Sequence, residues 1–178
     1  PPRSTQGVSS AASDVYKRQG LERKLKILFK HKYKSPFGEI GLMADEENLK
    51  SVSITNPDFL NIEASLDSSR FTEVLTQLDE YFHEGRKIFD LKYELHSTRF
   101  REKVYKKMIQ IPYGETLTYK ELAEKVGSPN AFRAIGTTCG KNPLPIIIPC
   151  HRITATNGLG GFTGGLDIKK FLLNLERN

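Results

Sequence analysis

The chain has 178 residues, 38% of them hydrophobic and 27% charged, with a formal net charge of +6 and two cysteines. That length suits one large or two small domains with a real core. No apolar run approaches the roughly 18 residues that span a bilayer, and no basic start leads into an apolar block of about 7–15 residues, the mark of a secretory signal.

Cys139 and Cys150 lie 11 apart, which is neither a redox Cys-x-x-Cys nor half of a zinc site. The four histidines, His31, His83, His96 and His151, are scattered. No metal and no cofactor is therefore expected. A free reactive thiol suits a reducing compartment, so the expected location is the cytoplasm.

Residues 1–19 are polar, rich in small side chains and without apolar period; they read as a disordered tail or as adaptor-derived sequence. Residues 20–95 form the expected amino-terminal domain. Leu25, Ile27, Phe29, His31 and Tyr33 alternate, then Ile40, Leu42 and Ala44, then Val52 and Ile54, with turn signals at 35–38 and 45–48. Three strands in an antiparallel meander are expected. Residues 55–69 read mostly as loop. Phe71, Val74, Leu75, Leu78, Tyr81 and Phe82 fall at helical spacing, and Gly85 stops the helix. Phe89, Leu91, Tyr93 and Leu95 alternate as a fourth strand. Nothing in this half carries convincing chemistry, and it reads as a scaffold.

Residues 96–178 form the second, mostly helical domain. Ser97 or Thr98 caps a helix with an apolar face of Phe100, Val104, Tyr105 and Met108, which ends at 111–114. Thr116 or Thr118 caps the next, carrying Tyr119, Leu122, Ala123 and Val126. A turn at 127–130 leads to a third helix ending near Cys139. Two helices joined by a four-residue turn containing glycine read as helix-turn-helix, a weak signal alone. The third helix holds one arginine, Arg133, among small residues. Residues 95–178 carry 13 Lys/Arg against 6 Asp/Glu, whereas residues 1–94 carry 14 against 15. The excess positive charge thus sits in the second half, as a surface meeting phosphates requires, though a basic soluble face would look the same.

The densest signal is residues 142–152, Asn-Pro-Leu-Pro-Ile-Ile-Ile-Pro-Cys-His-Arg. Three prolines fix backbone dihedrals and withhold donors. An extended lead-in through Pro149 is expected to deliver Cys150 beside His151 and Arg152, whose positive charge would lower the thiol pKa. Adjacent side chains on an extended segment point opposite ways, which favours a water between thiol and imidazole.

This stretch resembles the methylated-DNA–protein-cysteine methyltransferases. The shared features are Pro-Cys-His-Arg after Asn-Pro-x-Pro, Ile-Pro-Tyr-Gly-Glu-Thr at 111–116, Tyr119, Arg133-Ala134-Ile135-Gly136, and Gly164-Gly165 before Lys169. The resemblance covers nearly the whole second half. It implies an α+β chain: a small ribonuclease H-like antiparallel sheet-plus-helix domain, then a winged helix-turn-helix-like catalytic domain. It implies a monomer acting on double-stranded DNA through the minor groove, where Arg133 replaces the flipped nucleotide and Ala134 and Gly136 allow close approach. A surface phosphate contact is the plainer role for Arg133.

The same resemblance makes Cys150 the acceptor of an alkyl group from O6-alkylguanine, and of O4-alkylthymine as a second lesion. It makes His151 the base, Glu176 the carboxylate orienting it, Asn142 the brace of the turn, and Lys169 a neighbour of the cysteine. Tyr119 helps to rotate the nucleotide and protonates the leaving purine. Pro145 and Phe162 flank the base, and Cys150, Ile153 and Thr163 read its edge. Phe162 departs from the tyrosine frequent in the family, so any hydroxyl contact there is lost. Without the resemblance, Glu176 would be a solvated terminal charge and Lys169 a surface lysine.

Two other classes compete with suicidal repair. A lesion-binding relative would flip the base and transfer nothing, but such relatives replace the cysteine. A helix-turn-helix regulator with a structural or redox cysteine would not need Tyr119, Arg133, Asn142 and Glu176 together. Cys139 lacks an adjacent histidine and is not expected to compete as acceptor.

Overall fold

The computed structural model describes residues 27–54, 59, 61 and 64–178. The tail expected at 1–19, Leu25 and the turn residues Asn56, Pro57 and Asp58 lie outside them. β1 (Phe29–Ser35), β2 (Gly38–Ala44) and β3 (Leu49–Ile54) form an antiparallel sheet in that order. The two-residue turn between β1 and β2 is closed by the Ser35 hydroxyl, which donates to the Gly38 carbonyl at 2.6 Å. The next turn is held by the Asp45 carboxylate, which accepts from the backbone N–H groups of Glu47 and Asn48.

Period-two patterning puts Ile40, Leu42, Ala44, Val52 and Ile54 on the buried face, against the apolar stripe of α1 (Thr72–His83). Each fully buried Ile or Leu here contributes about 1.5–3 kcal/mol relative to exposure. α1 presents Val74, Leu78, Tyr81 and Phe82 inward.

The fourth strand expected at 89–95 does not form. Leu49 and Tyr93 make one isolated parallel bridge. The apolar alternation is real, since Phe89, Leu91, Tyr93 and Leu95 pack on the core. Of this segment, only Lys92 and Glu94 bond Leu49 through their backbones; at Asp90 the backbone bonds go to Gln77 of α1, which donates to the Asp90 carbonyl at 2.7 Å and accepts its N–H at 2.8 Å. A side chain satisfies groups that a ladder would otherwise have claimed.

In the second half, α2 (Arg99–Ile109) starts at Thr98, whose hydroxyl accepts from the Arg101 N–H. Thr118 caps α3 (Tyr119–Lys125) in a reciprocal capping box with Glu121, settling the choice between Thr116 and Thr118. α4 (Phe132–Gly140) follows after a turn. Its carboxyl end is tied down by the Tyr105 hydroxyl, within 3.2 Å of the Thr138 carbonyl and 3.1 Å of the Lys141 carbonyl. α5 (Leu166–Leu175) closes the chain.

A short parallel pair, β4 (Leu117–Thr118) with β5 (Ile153–Thr154), was not anticipated. Two residues per strand leave no period to detect. The pair ties the start of α3, and with it Tyr119, to the chain just beyond Cys150.

The two halves share one apolar core. The Val52 N–H of edge strand β3 donates to the Pro143 carbonyl at 2.8 Å, joining the sheet to the proline-rich segment.

Candidate active site

The segment before the cysteine folds back on itself and is not extended. Ile148 N–H bonds the Leu144 carbonyl and Cys150 N–H bonds the Ile148 carbonyl, both at 2.8 Å. Pro149, at φ −80° and ψ 65°, is the centre of an inverse γ-turn. Ile146 has φ +76°, an uncommon conformation for a β-branched residue, and its side chain is buried. Local strain of about 1–3 kcal/mol is thereby held in the turn by surrounding packing. Residues Cys150–Arg152 then form one 3-10 turn, and all three are buried. The strand-like alternation of side chains expected at 150–151 is therefore replaced by turn geometry.

Asn142 organises this turn. Its amide donates to the Ile148 carbonyl at 2.8 Å, and its oxygen accepts the Leu144 N–H at 3.0 Å. Its amide also lies beside the Cys150 sulfur, which favours the thiolate. Burial dominates, however, and pushes the Cys150 thiol up rather than down. Asn142, the Lys169 ammonium and the N–H groups of Cys150 and His151 offset part of that rise. At rest the acceptor is a protonated thiol that needs a base.

The expected help from Arg152 goes elsewhere. Its Nε and Nη2 donate to Glu176 at 2.8 and 2.9 Å, and Nη1 donates to the Ile111 carbonyl at 2.6 Å. Lys169 is the cation that acts on the thiol. It is fully buried, not a surface lysine, and Nζ donates to the carbonyls of Ile153 at 2.5 Å and Gly161 at 3.0 Å. Burial depresses its pKa.

His151 is fully buried, and its Nε2 lies 2.7 Å from Glu176 Oε1. Nδ1 has no hydrogen-bond partner within the protein and is the nitrogen left to take a proton. Burial depresses the imidazole pKa against the opposing pull of Glu176, so the ring is neutral at rest and able to act as a base.

Glu176 caps α5 at its carboxyl end and is 4% exposed, so it is no solvated terminal charge. Burial would raise its pKa, but the bonds from His151 and Arg152 prevail and hold it well below the usual carboxylate range. It further accepts from the Tyr81 hydroxyl at 2.7 Å and the Gly114 N–H at 3.3 Å. Gly114 has φ +82°, and a Cβ there would meet the Glu176 carbonyl oxygen at 2.7 Å, so only glycine lets the chain approach. Tyr81 belongs to this site and was not assigned to it from the sequence, and Arg152, expected beside the thiol, serves the carboxylate instead. In the sequence Tyr81 belongs to an aromatic helix stripe that reads as core.

A pocket of about 200 Å³ opens on Cys150. Asn142, Pro145, Phe162, Thr163 and Cys139 line it, together with Ser51 to Ile54 of β3. Pro145, Phe162 and Thr163 thus line one pocket with the thiol. Ile153 does not line the pocket; it is fully buried and its carbonyl is taken by Lys169. Tyr119, half-buried at the start of α3, lies against the loop beyond β5. The Gly161 backbone lies beside its hydroxyl. A Cβ on Gly160, itself at φ +71°, would come within 2.7 Å of that ring. On the other side Gly136 of α4 leaves room for the same ring. Arg133 and Ala134 are exposed on α4, beside the exposed Phe132.

Among the described residues no cluster of three or more His, Cys, Asp or Glu side chains is arranged to hold a metal. No described helix is long and apolar enough to cross a membrane.

Comparisons with known proteins bear on both halves. Residues 28–95 match the family described as 6-O-methylguanine DNA methyltransferase, ribonuclease-like domain, and residues 99–178 match the DNA binding domain of the same name. A methylated-DNA–protein-cysteine methyltransferase of Methanosarcina barkeri is 44% identical over 153 residues, covering 81% of this chain and 94% of that protein. The constitutive enzyme of that name in Bacillus subtilis is 36% identical over 151 residues, covering 80% and 92%. The crystal structure of Mycobacterium tuberculosis OGT in complex with DNA superposes with a TM-score of 0.77 at 34% identity, covering 84% of this chain and 93% of that one. The chain belongs to the methylated-DNA–protein-cysteine methyltransferase family, the 6-O-methylguanine DNA methyltransferases.

Proposed function

We propose that this protein repairs O6-alkylguanine in double-stranded DNA by moving the alkyl group onto Cys150, once per molecule. The observation that carries this reading is a pocket-lining thiol next in the chain to a buried His151–Glu176 pair. An alkyl group on guanine O6 cannot be reached inside a stacked duplex, so the nucleotide must first leave the stack. The exposed face of α4, which carries Arg133, meets the minor groove; Arg133 fills the vacated place, and Ala134 and Gly136 allow the approach. Tyr119 helps to turn the nucleotide toward the pocket, where Pro145 and Phe162 flank the base and Thr163 meets its edge.

In the transfer itself, His151 takes the thiol proton, directly or through a water, and Glu176 balances the resulting imidazolium. The sulfur forms a bond to the alkyl carbon as the carbon–O6 bond breaks, and that electron pair passes to guanine. Tyr119 supplies the proton that restores the neutral base. The product is a thioether with no hydrolysable bond, so the protein is consumed.

O4-alkylthymine presents the same electrophilic carbon and is a second substrate. A ribonuclease H-like first domain and a winged helix-turn-helix second domain fit the element order, and the protein acts as a cytoplasmic monomer.

The test is intact-protein mass after mixing with a duplex carrying one O6-methylguanine, followed by peptide mapping. One added methyl on Cys150, absent in Cys150→Ser, is expected. Tight lesion binding without added mass would instead make the chain a damage sensor.

A further inference from the structure

The amino-terminal half reads as a scaffold from its sequence, yet it sends one polar atom into the site. The Tyr81 hydroxyl, on α1, lies 2.7 Å from Glu176 Oε1, across 95 residues of chain. Tyr81 is 1% exposed and its ring is packed edge-on against Phe82 and Tyr113. The oxygen it contacts is the one that faces His151 Nε2 and Arg152 Nη2.

We infer that Tyr81 is a positioning residue of the transfer site: its hydroxyl holds the Glu176 carboxylate and thereby sets how strongly His151 accepts the thiol proton. This rests on the alkyl-transfer reading of the same site.

The Glu176 Oε1 oxygen is shared between donors. Each carboxylate oxygen has two lone-pair directions, and Oε1 receives three donors. A donor that takes part of that oxygen's charge leaves less for the imidazole. Tyr81 is the donor in this contact, because burial and the adjacent Glu176 charge keep its hydroxyl protonated. The groups acting on His151 are Glu176, Arg152 and Lys169, with the Cys150 thiol as its chain neighbour. Those acting on Glu176 are His151 and Arg152, with Tyr81 and Tyr113 facing it. Arg152 binds Glu176 through two nitrogens and stays in place without Tyr81. Loss of the hydroxyl alone therefore strengthens the carboxylate's hold on His151 and makes the ring more basic.

The experiment is the pH dependence of the single-turnover transfer rate at saturating O6-methylguanine duplex, for the full chain and for Tyr81→Phe. The acidic limb, where a protonated His151 can no longer act as base, is expected about half a pH unit higher in Tyr81→Phe, which makes it about threefold slower on that limb. Affinity for the duplex is expected to be unchanged. Phe71→Leu, in the same amino-terminal core, is the stability control, expected to lower the melting temperature without moving the limb. Superimposable profiles for the full chain and Tyr81→Phe over the range where both stay folded would overturn the inference. A limb that moves equally in Phe71→Leu would also do so, because general loosening would then explain it. Absence of transfer by the unsubstituted chain would refute the functional reading itself.

Discussion

His151 Nε2 and Glu176 Oε1 meet at 2.7 Å with neither side chain exposed to solvent, although 25 residues separate them. The pair closes only because α5 returns the end of the chain beneath the Cys150 turn. Arg152 completes it by neutralising the carboxylate from the other side.

Glu176→Gln keeps the shape of this site and removes its charge. Arg152 is then buried without a counter-charge, and a stability loss of about 3–5 kcal/mol is expected in denaturant titrations. The transfer rate is expected to fall about 10²–10⁴-fold, the range for a lost acid–base function. His151→Gln is expected to lose a similar factor in rate with a smaller loss of stability, since Glu176 keeps Arg152.

Acid stability follows from two depressed pKa values. Glu176 and His151 both bind protons less readily in the folded chain than in the unfolded one. Their contributions are therefore present above the unfolded values and lost as pH falls. The free energy of unfolding is expected to decline first below about pH 6.5, where unfolded histidine protonates, and more steeply below about pH 4.3, the unfolded glutamate value. In Glu176→Gln the second, steeper stage is expected to flatten. Urea titrations at half-unit pH steps measure both.

Gly160→Ala places a methyl group 2.7 Å from the Tyr119 ring at a residue with φ +71°. The left-handed conformation alone costs a non-glycine residue about 1–2 kcal/mol. Displacement of Tyr119 is expected to slow transfer about tenfold or more, which is about 1.4 kcal/mol or more of lost positioning. Gly161→Ala is the matched control: nothing lies within 4 Å of its added carbon. Its transfer rate is expected to stay close to that of the unsubstituted chain.

Lys169→Met fills the same space but leaves the Ile153 and Gly161 carbonyls without their donor. Each buried acceptor left unsatisfied costs about 1–3 kcal/mol. The Cys150 thiol also loses the cation that lowers its pKa. Slower transfer and a lower melting temperature are expected together, and Lys169→Arg is not expected to restore either, because a planar fork does not fit a site shaped for a compact ammonium.

Cys139 shares the pocket with Cys150, but burial pushes its thiol up to about 12 and no imidazole adjoins it in the chain. Cys139→Ala is expected to transfer within about twofold of the unsubstituted chain, an effect under 1 kcal/mol on the barrier. Peptide mapping is expected to find the alkyl group on Cys150 alone. Alkylation at Cys139 would show that pocket access, not base assistance, selects the acceptor.

Much of the architecture is written in local pattern. Period-two alternation marked the meander, and helical spacing marked α1, α2 and α3, because each signal is carried by residues close in sequence; the choice of Thr118 over Thr116 as the cap of α3 came from the structure. The segment at 89–95 has the alternation of a strand without its ladder, since Gln77 claims the Asp90 backbone groups. Strands β4 and β5 were invisible at two residues each.

The sequence by itself determined which residues are available for chemistry: a cysteine beside a histidine in a proline-braced motif, and a second half with all the excess positive charge. Only the tertiary structure decided their partners. It turned Arg152 from the thiol to Glu176, buried Lys169 against two carbonyls, removed Ile153 from the pocket wall and brought Tyr81 in from the other half. Covalent neighbours constrain dihedrals and spacing, whereas the electrostatics of a buried site depend on which polar atoms packing forces together.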